Sequence, residues 1–418
     1  MSGTGPWTAG RQRWARNLAF LSFSFANTAC ITVFPQHRFW GHPQEAMWTS
    51  AVLLGGALAA LLGQAWATRR RGAALRPATT GAGWAAYAAL LLVAGSKAVP
   101  SPLAYALLVW ALSFSSGALM QRFDECSVQQ AGPDGRVAND LSISLLRFLG
   151  MLLAPGAFSL MPPGSAAAQG LLLGMVALVA LSGWRLLASA EAGAPGAAVS
   201  APAVEAMPAS ASAALARSEW ALWAAGVLVY ANYCVLASAA PFLLRDLLAQ
   251  PGAMARAWLL ISAVYAAAML SNALVQWRRW APRLAWLPVA PVTLMLVGAS
   301  LLMPAAASAG GLVLQLGASV ALGAAFGLFM MGYRDHLTRQ AVQLQRPALL
   351  ARYNQLPRWA TLLAFGVMAA LSGLASLPGG APRLAGSVAA YLLLSSLVVL
   401  GAMGAMRPMR VGTPGGKT

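Results

Sequence analysis

One arginine stands where a charge is expensive. Arg147 lies eight residues beyond Asn139, within the apolar stretch 141–160. At 1.5 Å per residue, a helix opening at Asn139 carries its Cα about 12 Å inward. A guanidinium at that depth can bind an anionic group of a solute, pair with Asp140 or Glu125, or snorkel back toward water. All three readings stay open. Asn27 and Asn232 come next, because an amide inside an apolar run can both donate to and accept from a polar solute. The competing reading is an interhelical hydrogen bond that holds the fold together. Tyr230, Tyr233, Tyr265 and Gln315 are further candidates for solute contact, while Tyr333 reads as an anchor near a helix end.

Covalent chemistry has no comparable footing. Cys30, Cys126 and Cys234 are dispersed with no CxxC pair, so they read as small apolar packing residues. No His, Cys and carboxylate cluster has metal-ligand spacing, and no phosphate-cradling Walker A sequence is present. Neither a metal site nor another cofactor is expected, ATP is not the expected energy source, and the chain does not read as an enzyme.

The elements that must position these residues follow from composition. Of 418 residues, 59% are hydrophobic and 9% charged, against roughly 25% charged in an ordinary soluble domain. So few charges could not cover a soluble surface. The net charge of +18 and a pI near 11.3 suggest nucleic acid at first sight. A nucleic-acid face, however, needs clustered Lys and Arg on a polar surface. Soluble enzyme, disordered basic protein and coiled coil all drop out, leaving an all-α integral membrane protein in a lipid bilayer. A bilayer core needs about 20 apolar residues per helix. That window predicts twelve spans: 14–35, 46–67, 82–99, 101–121, 139–161, 166–188, then 219–244, 256–276, 284–304, 309–333, 356–377 and 384–406. Residues 189–217, an Ala/Pro/Ser/Gly mixture, read as a flexible cytoplasmic linker. The organisation is a six-helix bundle over 1–188, the linker, and a second six-helix bundle over 218–418.

The basic residues supply orientation. With the N-terminus in the cytoplasm, 22 of the 28 fall in inside segments, including Arg69, Arg70, Arg71 and Arg76. Five fall outside (Arg38, Lys97, Arg245, Arg256 and Arg383), and Arg147 lies within a span. That asymmetry is the positive-inside pattern, and it places both termini in the cytoplasm. Only Lys97 and Lys417 are lysine, and Ala is heavily used, as in a GC-rich bacterial genome; the expected site is the bacterial inner membrane.

The two halves echo each other. Phe25-Ala26-Asn27-Thr28-Ala29-Cys30 with Pro35 parallels Tyr230-Ala231-Asn232-Tyr233-Cys234 with Pro241. Gly117 leads into Arg122 and Asp124; Gly327 leads into Arg334 and Asp335. These matches at corresponding places point to a duplicated six-helix unit.

With that architecture the chain resembles the major facilitator superfamily (MFS), over nearly its whole length. The family signature between helices two and three falls on Gly63 to Arg71. Gly63 and the Arg69, Arg70, Arg71 cluster fit, and Ala67 replaces the expected acid. Gly150-Met151-Leu152-Leu153-Ala154-Pro155-Gly156 is similar to the Gly/Pro motif of the family's antiporters. The resemblance implies two pseudo-symmetric bundles that rock about a central site, moving a small-molecule substrate by secondary active transport. Export of an anionic or amphipathic metabolite, siderophore-like or drug-like, is the first expectation. Uptake of a nutrient or metal complex, and a non-transporting scaffold or receptor, are the alternatives. A proton is the candidate coupling ion, with Asp124 and Glu125 nearest to a suitable position and Asp140 and Asp335 behind them. The favoured reading of Arg122, Asp124, Glu125, Arg334 and Asp335 is a charge network closing the inner gate. His37 and His42 read as solvated loop residues. The chain is expected to act as a monomer, without nucleic acid.

Overall fold

Helix is the answer a bilayer forces on a chain this apolar, since it satisfies backbone polar groups within each segment. The computed structural model describes residues 6–39, 45–69, 77–95, 101–161, 165–192, 220, 222–239, 253–277, 309–343, 348–375 and 381–405. Among them the regular elements are α1 (Pro6–Thr28), a π-helical turn (Ala29–Val33), α2 (Phe34–Phe39), α3 (Glu45–Arg69), α4 (Pro77–Gly95), α5 (Pro102–Leu160) and α6 (Ala166–Ala192). The second half supplies α7 (Leu222–Ala239), α8 (Ala253–Trp277), α9 (Ala309–Gln343), α10 (Ala348–Ala375) and α11 (Ala381–Ala405). Seven stretches are long and apolar enough to cross a membrane, in α3, the start of α5, and α7 to α11. The predicted span 284–304 lies outside the described residues.

Local chemistry sets several of these boundaries. Ser101 caps α5 by accepting from the Ala104 N–H, and Pro102 occupies the first turn, where its missing N–H does no harm. Ser165 accepts from Ala168 N–H in the same way at 3.2 Å and starts α6.

The structure departs from the sequence expectation in four places. The first span is two helices with a π-turn between them, so His37 belongs to α2 and not to a loop. The signature stretch from Gly63 continues α3 as far as Arg69. Helix α6 runs to Ala192, into the expected linker, whose remainder lies outside the described residues. Finally, residues 122–138 are helical, where a loop was expected between two spans. Arg147 Nη2 nevertheless lies 3.7 Å from Met120 Sδ. A straight helix would separate those residues by about 40 Å. Helix α5 therefore doubles back between them, and its two arms serve as the predicted fourth and fifth spans. Gly132-Pro133-Asp134-Gly135 lies within that interval.

The duplication is visible in how the helices touch. A Cβ added to Gly117 on α5 would overlap the backbone of Ala60 on α3. One added to Gly327 on α9 would run into the backbone of Ala268 on α8. One turn earlier, Gly56 abuts Ser113, and Gly323 abuts Val264. Gly63 meets the Phe114 carbonyl, and its counterpart Ser271 meets Gly327. Gly56, Ala60 and Gly63 map onto Val264, Ala268 and Ser271 with one constant offset, and Ser113 and Gly117 map onto Gly323 and Gly327 with an offset two residues larger. Small residues let these backbones approach closely, which is how helices gain packing energy where lipid removes the hydrophobic drive.

Each half has its own core. Phe20, Phe23, Phe25, Tyr87 and Phe158 centre the first; Tyr233, Phe326, Phe329, Tyr333 and Leu356 centre the second. The first core also takes in Trp258 and Ile261 from α8, so the halves interlock there.

Candidate functional site

The side chains singled out in the sequence divide between the two halves. On the first, the Arg147 guanidinium lies over the Phe20 ring, 5.1 Å from its centroid, and against Met120 Sδ. Phe20 is on α1, Met120 and Arg147 on the two arms of α5. Close approach of the second arm to α1 comes from Gly150, where a Cβ would crowd Leu21 and Phe25 backbone. A ring face attracts a cation by about 0.5–1 kcal/mol at open sites and more when desolvated. Arg147 is thus held half-buried between α1 and α5.

Asn27, also half-buried, accepts a hydrogen bond from Ser116 Oγ at 2.8 Å. Asn232 accepts from Ser395 Oγ at 3.0 Å and is 0% exposed. Both amides are therefore engaged between helices. The pairings differ, however: Asn27 bonds to α5, and Asn232 to α11.

On the second half, Tyr230, Tyr233 and Tyr265 come together with Phe326 on α9, a residue with no distinguishing mark in the sequence. Tyr233 stacks on Phe326 at 4.8 Å with planes 18° apart. Tyr230 meets Phe326 edge-on at 5.2 Å, and Tyr265 meets Tyr233 edge-on at 5.8 Å. These are the offset and T-shaped arrangements that ring quadrupoles favour. Tyr265 packs against the cores of both halves and so marks the boundary between them. Tyr333 is not the interfacial anchor expected: it is fully buried and stacks on Phe329 at 6.2 Å.

Gln315 accepts from Arg256 Nη2 at 3.0 Å. The sequence placed Arg256 in an outer loop; it sits instead in the apolar stretch Ala255–Val275 of α8. A buried amide carbonyl that solvates the guanidinium makes this position tolerable.

Among the described residues, three hydrogen bonds are seen to join the halves. Trp258 Nε1 donates to Gln36 Oε1 at 3.1 Å; Ser50 Oγ and Ser372 Oγ are 3.3 Å apart; Ser262 Oγ donates to the Leu152 carbonyl at 3.4 Å. Gln36 and Leu152 approach the ends of their helices, as does Ser372; Ser50, Trp258 and Ser262 follow the starts of theirs. All six belong to the end of the bundle at which α2 finishes and α3 begins. Gly156, at the end of the Gly/Pro stretch, faces Ser262 across this boundary.

The side chains of Arg69, Arg122, Asp124, Glu125, Asp140, Arg334 and Asp335, and the whole of Arg70 and Arg71, lie outside the described structure. Among the described residues no group of three or more His, Cys, Asp or Glu could hold a metal ion.

Comparison of the whole chain places this geometry among solved structures. The nucleoside transporter NupG superposes with a TM-score of 0.66 at 16% identity, over 94% of this chain and 98% of that one. A mutant form of NupG gives 0.69 at 15% identity, over 94% and 99%. A bacterial homologue of the human lysosomal transporter Spinster, in an inward-facing and unoccupied conformation, gives 0.63 at 14% identity, over 96% of each chain. The chain has the major facilitator fold. No family model matches the sequence, and neither does any curated protein it was compared with. At this identity the likeness is one of fold. Within that fold, the aromatic group and Arg147 belong to opposite halves, and Tyr265 stands where the halves meet.

Proposed function

We propose that the protein is a secondary active transporter that carries a small organic solute across the bacterial inner membrane by alternating access, with both termini cytoplasmic. The observation that carries this reading is the boundary between the halves. Among the described residues, three hydrogen bonds at one end join the two bundles, and the aromatic group of the second half lies against Tyr265, where the halves meet. Parting at that end breaks these bonds and draws Trp258 and Ile261 of α8 out of the first core, while the rest of each core stays packed, as alternating access requires. The joined end is the one that the arginine count assigns to the outside, so it is the outer gate that we propose opens when the bundles rock.

Export of an anionic or amphipathic metabolite, of siderophore-like or drug-like size, suits the site best. Arg147 would hold the anionic group, and Tyr230, Tyr233 and Tyr265, with Phe326, the apolar part. The gating role stays with Arg122, Asp124, Glu125, Asp140, Arg334, Asp335 and the Arg69–Arg71 cluster, and a proton is the proposed coupling ion. A neutral, nucleoside-like solute is a second reading. It is favoured by the stacking aromatic group and by the likeness to a nucleoside transporter. Flux into proteoliposomes separates the two. Arg147→Ala should abolish uptake of aromatic carboxylates while sparing neutral nucleosides if the first reading holds. Unchanged affinity for every anionic solute would remove Arg147 from the site. No flux under any ion gradient would favour a scaffold.

A further inference from the structure

The π-turn of α1 and the Gln36–Trp258 hydrogen bond belong together. An α-helix turns about 100° per residue, so the extra residue of a π-turn re-aims every side chain beyond it. Here the turn closes with the Phe34 N–H donating to the Ala29 carbonyl. Beyond it, α2 shows two allegiances. Phe34 meets Phe158 edge-on at 5.1 Å, and Phe39 packs on Trp48 and Tyr105, all within the first half. Gln36 alone among these faces the second half, where it meets Trp258. Both are dry, Gln36 at 0% and Trp258 at 2% exposure. Of the three hydrogen bonds across this end, it is the one between two long side chains, and it has a directional geometry that the neighbouring apolar contacts lack.

We infer that Gln36 and Trp258 form a latch that holds this end of the bundle shut, with the π-turn as the device that aims Gln36 across the boundary. The latch rests on the alternating-access reading for its purpose, but its opening is measurable without any substrate. When the halves part, the bond breaks, and α2 leaves with the first half because its rings stay packed there. Ser262, one turn deeper on α8, becomes reachable from the aqueous side. One net hydrogen bond shifts such an equilibrium about fivefold.

The test uses the full chain with its native cysteines replaced and Ser262→Cys as the reporter. A membrane-impermeant maleimide is applied to right-side-out and to inverted vesicles. Trp258→Phe keeps the ring and removes only the donor. It should raise labelling from one membrane side about fivefold, and Gln36→Ala should do the same. The double variant should match either single change, since both remove one shared bond. Labelling unaffected by Trp258→Phe in vesicles where the protein is folded, or additive effects in the double variant, would overturn the latch. If Trp258→Phe does not fold, Gln36→Leu carries the same comparison. Absence of flux with an intact labelling response would sink the transport reading and leave the latch standing.

Discussion

Ser395 donates its hydroxyl hydrogen to Asn232 across 3.0 Å, at a point in the second half closed to solvent. The amide works as a strut between α7 and α11. Removing one partner of a buried hydrogen bond costs about 1–3 kcal/mol. Asn232→Ala should therefore lower the thermal unfolding temperature in detergent while leaving solute KM unaltered. A raised KM at unchanged stability would return Asn232 to the substrate site.

The close helix contacts give a prediction with a sign. Alanine at Gly117 or Gly327 must push a helix pair apart, and overpacking of this kind costs about 1–3 kcal/mol. Gly317 on α9 has open space around its missing Cβ. There alanine should be neutral or stabilising by roughly 0.5–1 kcal/mol, because it restricts the unfolded chain. Thermal melts of the three single variants decide it, and equal losses at all three positions would contradict the packing described.

Tyr265 separates ring from hydroxyl. Its ring touches both cores, so Tyr265→Phe should retain most flux and Tyr265→Ala should lose at least about tenfold, roughly 1.4 kcal/mol. Phenylalanine behaving like alanine in the same proteoliposome assay would show that the hydroxyl binds solute directly.

Ser50 and Ser372 face each other with their hydroxyl oxygens 3.3 Å apart. Cysteines at both positions should oxidise to a disulfide that pins α3 to α10. Flux should stop on oxidation and return on reduction. Full flux in the oxidised protein would mean that this end need not open.

How far the sequence reached can be read from these same residues. The apolar spans and the small-residue register are legible because both are local properties; Gly117 and Gly327 correspond by sequence position alone. Contacts between the halves were not legible. Gln36 and Trp258 stand 222 positions apart, and no periodicity links them. Phe326 escaped notice because a phenylalanine in an apolar helix has no distinguishing mark until three tyrosines gather round it. Arg256 reads as solvent-facing because it is a charge at a span boundary, and its hydrogen bond to Gln315, which helps make its position tolerable, leaves no trace in the sequence. The two asparagines correspond by sequence position, yet the same residue type takes different partners because Ser116 and Ser395 do not occupy equivalent helices.

The π-turn makes the duplicated halves inequivalent. Its counterpart α7 is regular helix throughout Leu222–Ala239. An inserted residue acts as a phase shift: α1 serves its own bundle upstream of Ala29, and the chain beyond Val33 can address a neighbour. Two copies of the second half joined head to tail would inherit the glycine contacts and lack the phase shift. The two halves thus share a contact pattern without being interchangeable parts.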